Sequence, residues 1–259
     1  MVFTSFSPKT KFSWLALAIA SVTAVSGCSS NNKNPSARTA VPVAVHVHTY
    51  TTSFPLKENP ISEGGRWMGG KAVGIDWGDI STTPGLAIGH AGPKRFADAT
   101  ALLKGNWGPT QTAEAGVYSK AVYRYPEVSL RLRSSLSPHR CTGYEISNSL
   151  RKGKSAYLII VRWNGPLADF TYLVQDGGAK YGVTTGDVVK ATIVGNVITA
   201  YKNGVPLARV TDNTYSTGNP GIGFNEGING VYGISRFTAT DAPIAAGPAA
   251  GPRGQKITE

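Results

Sequence analysis

Cysteine is nearly absent from the chain, whose 259 residues hold only Cys28 and Cys141. That excludes a disulfide-stapled scaffold and the zinc sites built on cysteine pairs. Histidine is scarce too, at four. His46 and His48 share one face of an alternating stretch, residues 41–50, but no third ligand is near in sequence. They read as surface imidazoles of an edge strand rather than a metal site. A catalytic thiol at Cys141 would need a base, and His139, two positions away, is poorly placed to serve it. Long helical periodicity is missing. Acids number 15 against 26 Lys and Arg, for a formal charge of +11. Such a surplus favours polyanions: nucleic acid, anionic lipid head groups or acidic polysaccharide. Nucleic acid is set aside, because the chain holds no helix-turn-helix, zinc pair or aromatic RNA-binding signature.

The first 27 residues read as a leader. Lys9 and Lys11 form a short basic region, and residues 12–25 supply an apolar core too short to hold a bilayer. Val25-Ser-Gly-Cys28 then matches the bacterial lipobox, with Cys28 the acylated residue; the alternative is ordinary secretory cleavage with an incidental cysteine. Acylation would tether the protein to a membrane surface through its lipid anchor. Ser29 after the cysteine resembles the sorting signal for the outer membrane of the cell envelope. Losing a leader with two lysines and no acid takes the charge from +11 to +9. Residues 28–53 read as a tether with an edge strand near its end, and residues 241–259 as a disordered tail.

Between them lie many short alternating runs: residues 117–123, 127–133, 144–148, 156–163, 170–174 and 231–239. The 31 Gly and 16 Pro punctuate them. This spacing predicts an all-β fold, a two-sheet antiparallel jelly-roll sandwich over residues 54–240. Residues 96–104, rich in Ala and Leu, are the one predicted helical piece. The clearest local signal is Gly195-Asn196 between two β-rich runs. A two-residue turn there pairs Val194 with Val197, Ile193 with Ile198 and Ala191 with Ala200. Val189, Ala191, Ile193, Ile198 and Ala200 then share an apolar face that a second sheet must cover. Asn203-Gly204 adds a third strand to the meander.

The run from Gly186-Asp187 through Tyr201-Lys202-Asn203-Gly204, followed by Gly218-Asn-Pro-Gly-Ile-Gly-Phe224, resembles the concanavalin A-like lectin/glucanase superfamily. It is closest to the laminin-G-like bacterial members, where the pattern of Asn59-Pro-Ile-Ser-Glu-Gly-Gly-Arg-Trp67 recurs. The resemblance implies a β-sandwich whose concave face holds sugar, with Trp67 as a core plug. It also implies a structural calcium held by acids near the chain ends, here Glu63 and Asp241. Two acids alone do not make a cage.

The residues that carry chemistry begin at Tyr125. Alternation puts Val128, Leu130 and Leu132 on one face, and Glu127, Ser129, Arg131 and Arg133 on the other. Two such arginines want an anion, supplied by Glu127, by Glu145 of the next strand, or by a ligand. Arg162 and Asn164 share a face opposite Trp163 and offer directional hydrogen bonds to a hydroxyl or carboxylate. Trp107 stands in a loop, where aromatics serve binding. Catalytic strings are missing. No Glu-x-Asp-x-x-Glu strand sets two carboxyls the roughly 5 Å apart that retaining glycoside hydrolysis needs. The Gln-x-His of alginate lyases is absent. An enzyme of this fold is the alternative, either a glycoside hydrolase or a polysaccharide lyase with Tyr144 or His139 as base and Arg131 neutralising a uronate. The expected function is a membrane-anchored, non-catalytic module binding an acidic glycan through Arg131, Arg133, Glu145, Arg162, Asn164 and Trp107.

Overall fold

The computed structural model describes residues 47–120, 125–225 and 231–243. The strands are β1 (Thr49–Thr52), β2 (Trp67–Gly69), β3 (Asp79–Thr83), β4 (Leu86–His90), β5 (Ala99–Leu103), β6 (Gln111–Ser119), β7 (Glu127–Ser137) and β8 (Arg140–Ser149). They continue with β9 (Tyr157–Gly165), β10 (Phe170–Gly177), β11 (Val188–Val194), β12 (Val197–Lys202), β13 (Val205–Thr211), β14 (Asn219–Asn225) and β15 (Tyr232–Thr240). One sheet runs β13-β12-β11-β6-β15-β4-β3, with β1 also on β15, and the other runs β10-β9-β8-β7-β14-β5-β2. All the strand pairings are antiparallel, the jelly-roll sandwich expected from the spacing.

The Gly195-Asn196 hairpin forms in the expected register: Val194 faces Val197, Ile193 faces Ile198 and Ala191 faces Ala200. Gly195 takes φ +58°, a value a side chain would resist. Val189, Ala191, Ile193, Ile198 and Ala200 are buried against Leu130, Ile146, Ile160 and other residues of the seven-stranded sheet, forming the main core. The remaining inward positions, such as Val117, Phe224 and Phe237, fill the same layer.

A second, smaller core lies on the outer face of the seven-stranded sheet. Trp77 meets Trp163 edge-on at 5.2 Å, Trp163 meets Phe170 at 5.1 Å, and Phe170 meets Phe96 at 5.2 Å. Leu102, Val161 and Cys141 complete it. This explains why residues 96–104 are not helical. Ala99 and Ala101 face the main core while Leu102 faces the smaller one, so every residue of β5 is buried. A strand covered on both sides reads as an unbroken apolar run, which periodicity alone cannot tell from a buried helix.

The alternation read along β7 also fails at one point. Register shifts between Leu132 and Ser135 against β8, and Arg133 sits at φ +44°. Gly143 opposite makes room, because a Cβ there would lie 2.4 Å from Ser134 Cα. This bulge turns Arg133 away from Arg131. Its Nε donates to Pro109 O at 2.8 Å, Nη1 to Tyr215 O at 2.9 Å and Nη2 to Gly195 O at 2.6 Å. One guanidinium thereby pins three loops at one end of the sandwich.

At the chain ends β1 lies along β15, so the alternation read over 41–50 becomes a strand at Thr49–Thr52, and residues 41–46 lie outside the described residues. Arg133→Ala leaves three carbonyls without their shared donor and should lower unfolding free energy by roughly 3 kcal/mol in urea titration. Arg133→Lys, lacking the planar fork, should recover little of it. A midpoint unchanged by either variant would show the loops to be held otherwise.

Candidate functional site

Two short segments, 70–78 and 91–98, fold over the outer face of the seven-stranded sheet and cover only part of it. The uncovered part is a groove of about 740 Å³. Its floor carries Glu127 from β7, Tyr157 from β9 and Asn225 from β14; Tyr172 of β10 stands on one wall and Lys94, Arg95 and Phe96 on another. Tyr125, just before β7, is 54% exposed and Tyr172 49%. The Arg151 guanidinium lies over the Tyr125 ring, 4.9 Å from its centre, and Arg95 over Phe96 at 4.5 Å. Aromatic faces with polar groups between them suit a ligand that is apolar on one side and hydroxylated on the other.

The expected binding residues do not converge here. Arg131 and Glu145 do share the outer face, on paired positions of β7 and β8, but they are 0% and 2% exposed. Arg131 Nη1 lies 2.9 Å from Glu145 Oε2, in poor hydrogen-bond alignment, while Nη2 donates to Thr100 Oγ1 at 2.9 Å. Trp163 Nε1 donates to Glu145 Oε2 at 2.6 Å and Ser147 Oγ to Oε1 at 2.9 Å. The smaller core seals this pair from solvent. Arg133 is buried at the sandwich end, as described. Arg162 and Asn164 point inward beyond the end of the main core, where Arg162 Nη1 meets Asp212 Oδ2 at 2.6 Å and Nε reaches Asn164 Oδ1 at 3.1 Å. Trp107 is buried: its ring lies 5.6 Å from that of His48 and its Nε1 donates to Lys104 O. It is a loop aromatic used for packing.

Nor do the lyase residues assemble. Tyr144 lies in the main core with its hydroxyl donating to Asp212 Oδ1 at 2.7 Å, and burial pushes it up to about 12. His139 is exposed in the β7–β8 turn, with Nδ1 3.1 Å from Asp76 Oδ2. The Cys141 thiol is buried and pushed up to about 11 by that burial.

The two acids expected to hold calcium do not fit a cation. Asp241 accepts from the His48 and Gly108 backbone N–H groups at 2.5 and 2.8 Å, and contacts His48 Nδ1 at 2.8 Å. Glu63 accepts from the Tyr50 hydroxyl, from Thr52 Oγ1 at 2.6 Å and from Trp67 Nε1 at 3.2 Å. Donors already occupy both carboxylates, and among the described residues no cluster of three or more His, Cys, Asp or Glu could hold a metal.

The groove residues that local patterning misses are Tyr125, Arg151, Tyr157 and Tyr172. Tyr157 and Tyr172 lie on strands the sequence does signal and Tyr125 just before one, but only the order β10-β9-β8-β7 puts them side by side.

No family model matches the sequence, and no curated protein is detectably similar to it. Solved structures do match. The carbohydrate recognition domain of Emp46p, in its metal-free form, aligns at TM-score 0.50 and 10% identity over 74% of this chain and 95% of that one. The exoplasmic/lumenal domain of VIP36, bound to calcium and Man3GlcNAc, aligns at 0.50 and 10% over 72% and 88%. A Bacillus subtilis protein of unknown function with a galectin-like fold aligns at 0.50 and 12% over 74% and 94%. The fold is the two-sheet antiparallel jelly-roll sandwich that these structures share. At such identity the fold is the whole of what the likeness carries.

Two outcomes follow from the buried charges. Arg131→Ala strands the Glu145 carboxylate in an apolar layer and should cost about 3–5 kcal/mol of unfolding free energy. A loss under about 1 kcal/mol would mean that Glu145 finds water. Glu127 behaves differently, because burial pushes its carboxyl from the usual 4.5 up to about 7. Between those values the unfolded chain releases the proton and the folded one keeps it, so stability falls as pH rises from about 4.5 to 7 and is level above. Glu127→Gln removes that decline. At pH 8 the variant should be the more stable protein by on the order of 3 kcal/mol, and at pH 4 the gap should close.

Proposed function

We propose that this domain binds an acidic glycan in the groove, without catalysis, displayed from the outer membrane by a lipid on Cys28. The observation that carries the reading is the pairing of two half-exposed tyrosines, Tyr125 and Tyr172, with a basic rim on an otherwise covered sheet face. Tyrosine faces pack on the C–H side of sugar rings, and guanidinium forks take carboxylate or sulfate in two parallel bonds. Lys94 and Arg95 face solvent and Arg151 is half-exposed, whereas Asp98 and Glu127 are buried at the floor. The charge a ligand meets first is positive. The lectin sandwich supports the reading by analogy, since Emp46p and VIP36 domains of this fold are described as recognising or holding carbohydrate. The anchor rests on the lipobox, which lies outside the described residues.

A hydrolase is the second reading, because Glu127 and Glu145 share the outer face and Ser147 touches both. It ranks lower because Glu145 lies sealed beneath Trp163, where a sugar ring cannot reach it.

On a column of immobilised acidic glycan the domain should be retained at low salt and released as ionic strength rises. Tyr172→Ala and Arg151→Ala should each weaken binding roughly tenfold, about 1.4 kcal/mol, with little change in Tm. Unchanged retention in both variants would remove the groove as the site, and new reducing ends in the eluate would establish hydrolysis.

A further inference from the structure

Glu127 is the groove residue whose surroundings do not suit its charge. It is 7% exposed, and among the described residues no Lys, Arg or His lies within ion-pair distance of it. The cations nearby are otherwise engaged. Arg131, on its own strand, is turned to Glu145; Arg151 lies over Tyr125; Arg95 covers Phe96; Lys94 reaches Asp76 at 3.9 Å. What faces Glu127 is neutral or acidic. From β9 the Tyr157 hydroxyl donates to Oε1 at 2.5 Å. From β14 comes the Asn225 amide, and from β8 come Ser147 and the Glu145 carboxylate. Asp98 of segment 91–98 and Asp176 of β10 line the same groove, the latter accepting from the Tyr181 hydroxyl at 3.0 Å.

Ser147 Oγ lies between the two acids, 2.9 Å from Glu145 Oε1 and in hydrogen-bond contact with Glu127, with Ser129 Oγ 3.0 Å away. Burial, with the Glu145 carboxylate beside it, pushes the Glu127 carboxyl up, against the hydrogen bonds from Tyr157, Ser147 and Asn225.

We propose that Glu127 is the specificity-determining residue of the groove: in its neutral acid form it admits an anionic sugar to the floor, and as a carboxylate it repels one. The proposal rests on the glycan-binding reading and adds a ligand class and a condition to it. Uronate and sulfate groups keep their charge throughout the range in which Glu127 titrates, so the affinity change belongs to the protein. A neutral glycan should not register the change.

The test is calorimetric titration of the full domain with hexamannuronate, a heparin hexasaccharide and neutral mannohexaose, each from pH 5.5 to 9. One of the acidic hexamers should bind about tenfold more weakly at pH 8.5 than at pH 6, a change typical of one added charge at close range. In Glu127→Gln, which keeps the shape and the neutrality, that affinity should stay level across the range. Carboxyl carbon resonances of labelled protein give a second measurement free of any ligand, and Glu127 should titrate near neutrality. Acidic-hexamer binding that does not vary with pH, or a Glu127 that titrates in the ordinary carboxylate range, would overturn the proposal and leave glycan binding standing. No binding of any hexamer at pH 6 would overturn both.

Discussion

A guanidinium and a carboxylate closed off from water impose most of what surrounds them. Arg131 and Glu145 face each other across β7 and β8 with 0% and 2% exposure. Removing two charges from water costs several kcal/mol each, and the pair alone does not recover that cost without further hydrogen bonds. Thr100, Ser147 and Trp163 supply them. Those partners are in turn fixed by the smaller core, in which Trp163 is wedged between Trp77 and Phe170. Segments 70–78 and 91–98 therefore cover the middle of the outer face because a charged pair lies under them. The groove is what remains open at the other end.

Arg133, expected to act beside Arg131, shows how one local irregularity redirects chemistry. Up to Leu132 the alternation along β7 holds, and Arg131 stands where strand geometry puts it. Two residues of bulge then place Arg133 on the opposite side, against the carbonyls of Pro109, Tyr215 and Gly195. A binding residue on the pattern becomes a loop clamp in the structure. The local signal was Gly143: a glycine mid-strand marks a close backbone approach, here to Ser134. Pattern reading along β7 alone does not see it, because the signal lies on the neighbouring strand.

Legibility followed range. The β11–β12 hairpin could be read to the residue, since a two-residue turn and a period-2 pattern specify register without help from elsewhere. The pairing of Arg131 with Glu145 was also within reach, because consecutive strands joined by a short turn are neighbours. Their burial was not, since the cover comes from Trp77, more than fifty residues earlier in the sequence. β5 was misread for a related reason: burial on both faces erases the alternation that marks a strand. Trp107 sat in a loop as expected, yet loop position says nothing of whether a ring meets solvent or, as here, His48.

Charge is the last thing that composition counts and the structure redistributes. The chain carries a surplus of 11 positive charges, but the arginines most conspicuous in its strand patterns, at 131, 133 and 162, serve the interior or its edge. Arg151, Arg95 and Lys94 lie in or beside turns, where no periodicity singles them out, and these are the cations at the groove. The acids divide the other way, Asp98 and Glu127 being buried at the floor. On the proposed reading, a ligand drawn by long-range attraction to the rim would meet a second selection at short range, where among the described residues the Glu127 carboxyl has no cation to hold its charge. On that reading steering and discrimination fall to different residues, because a single charge weighs most on a covered, partly desolvated floor.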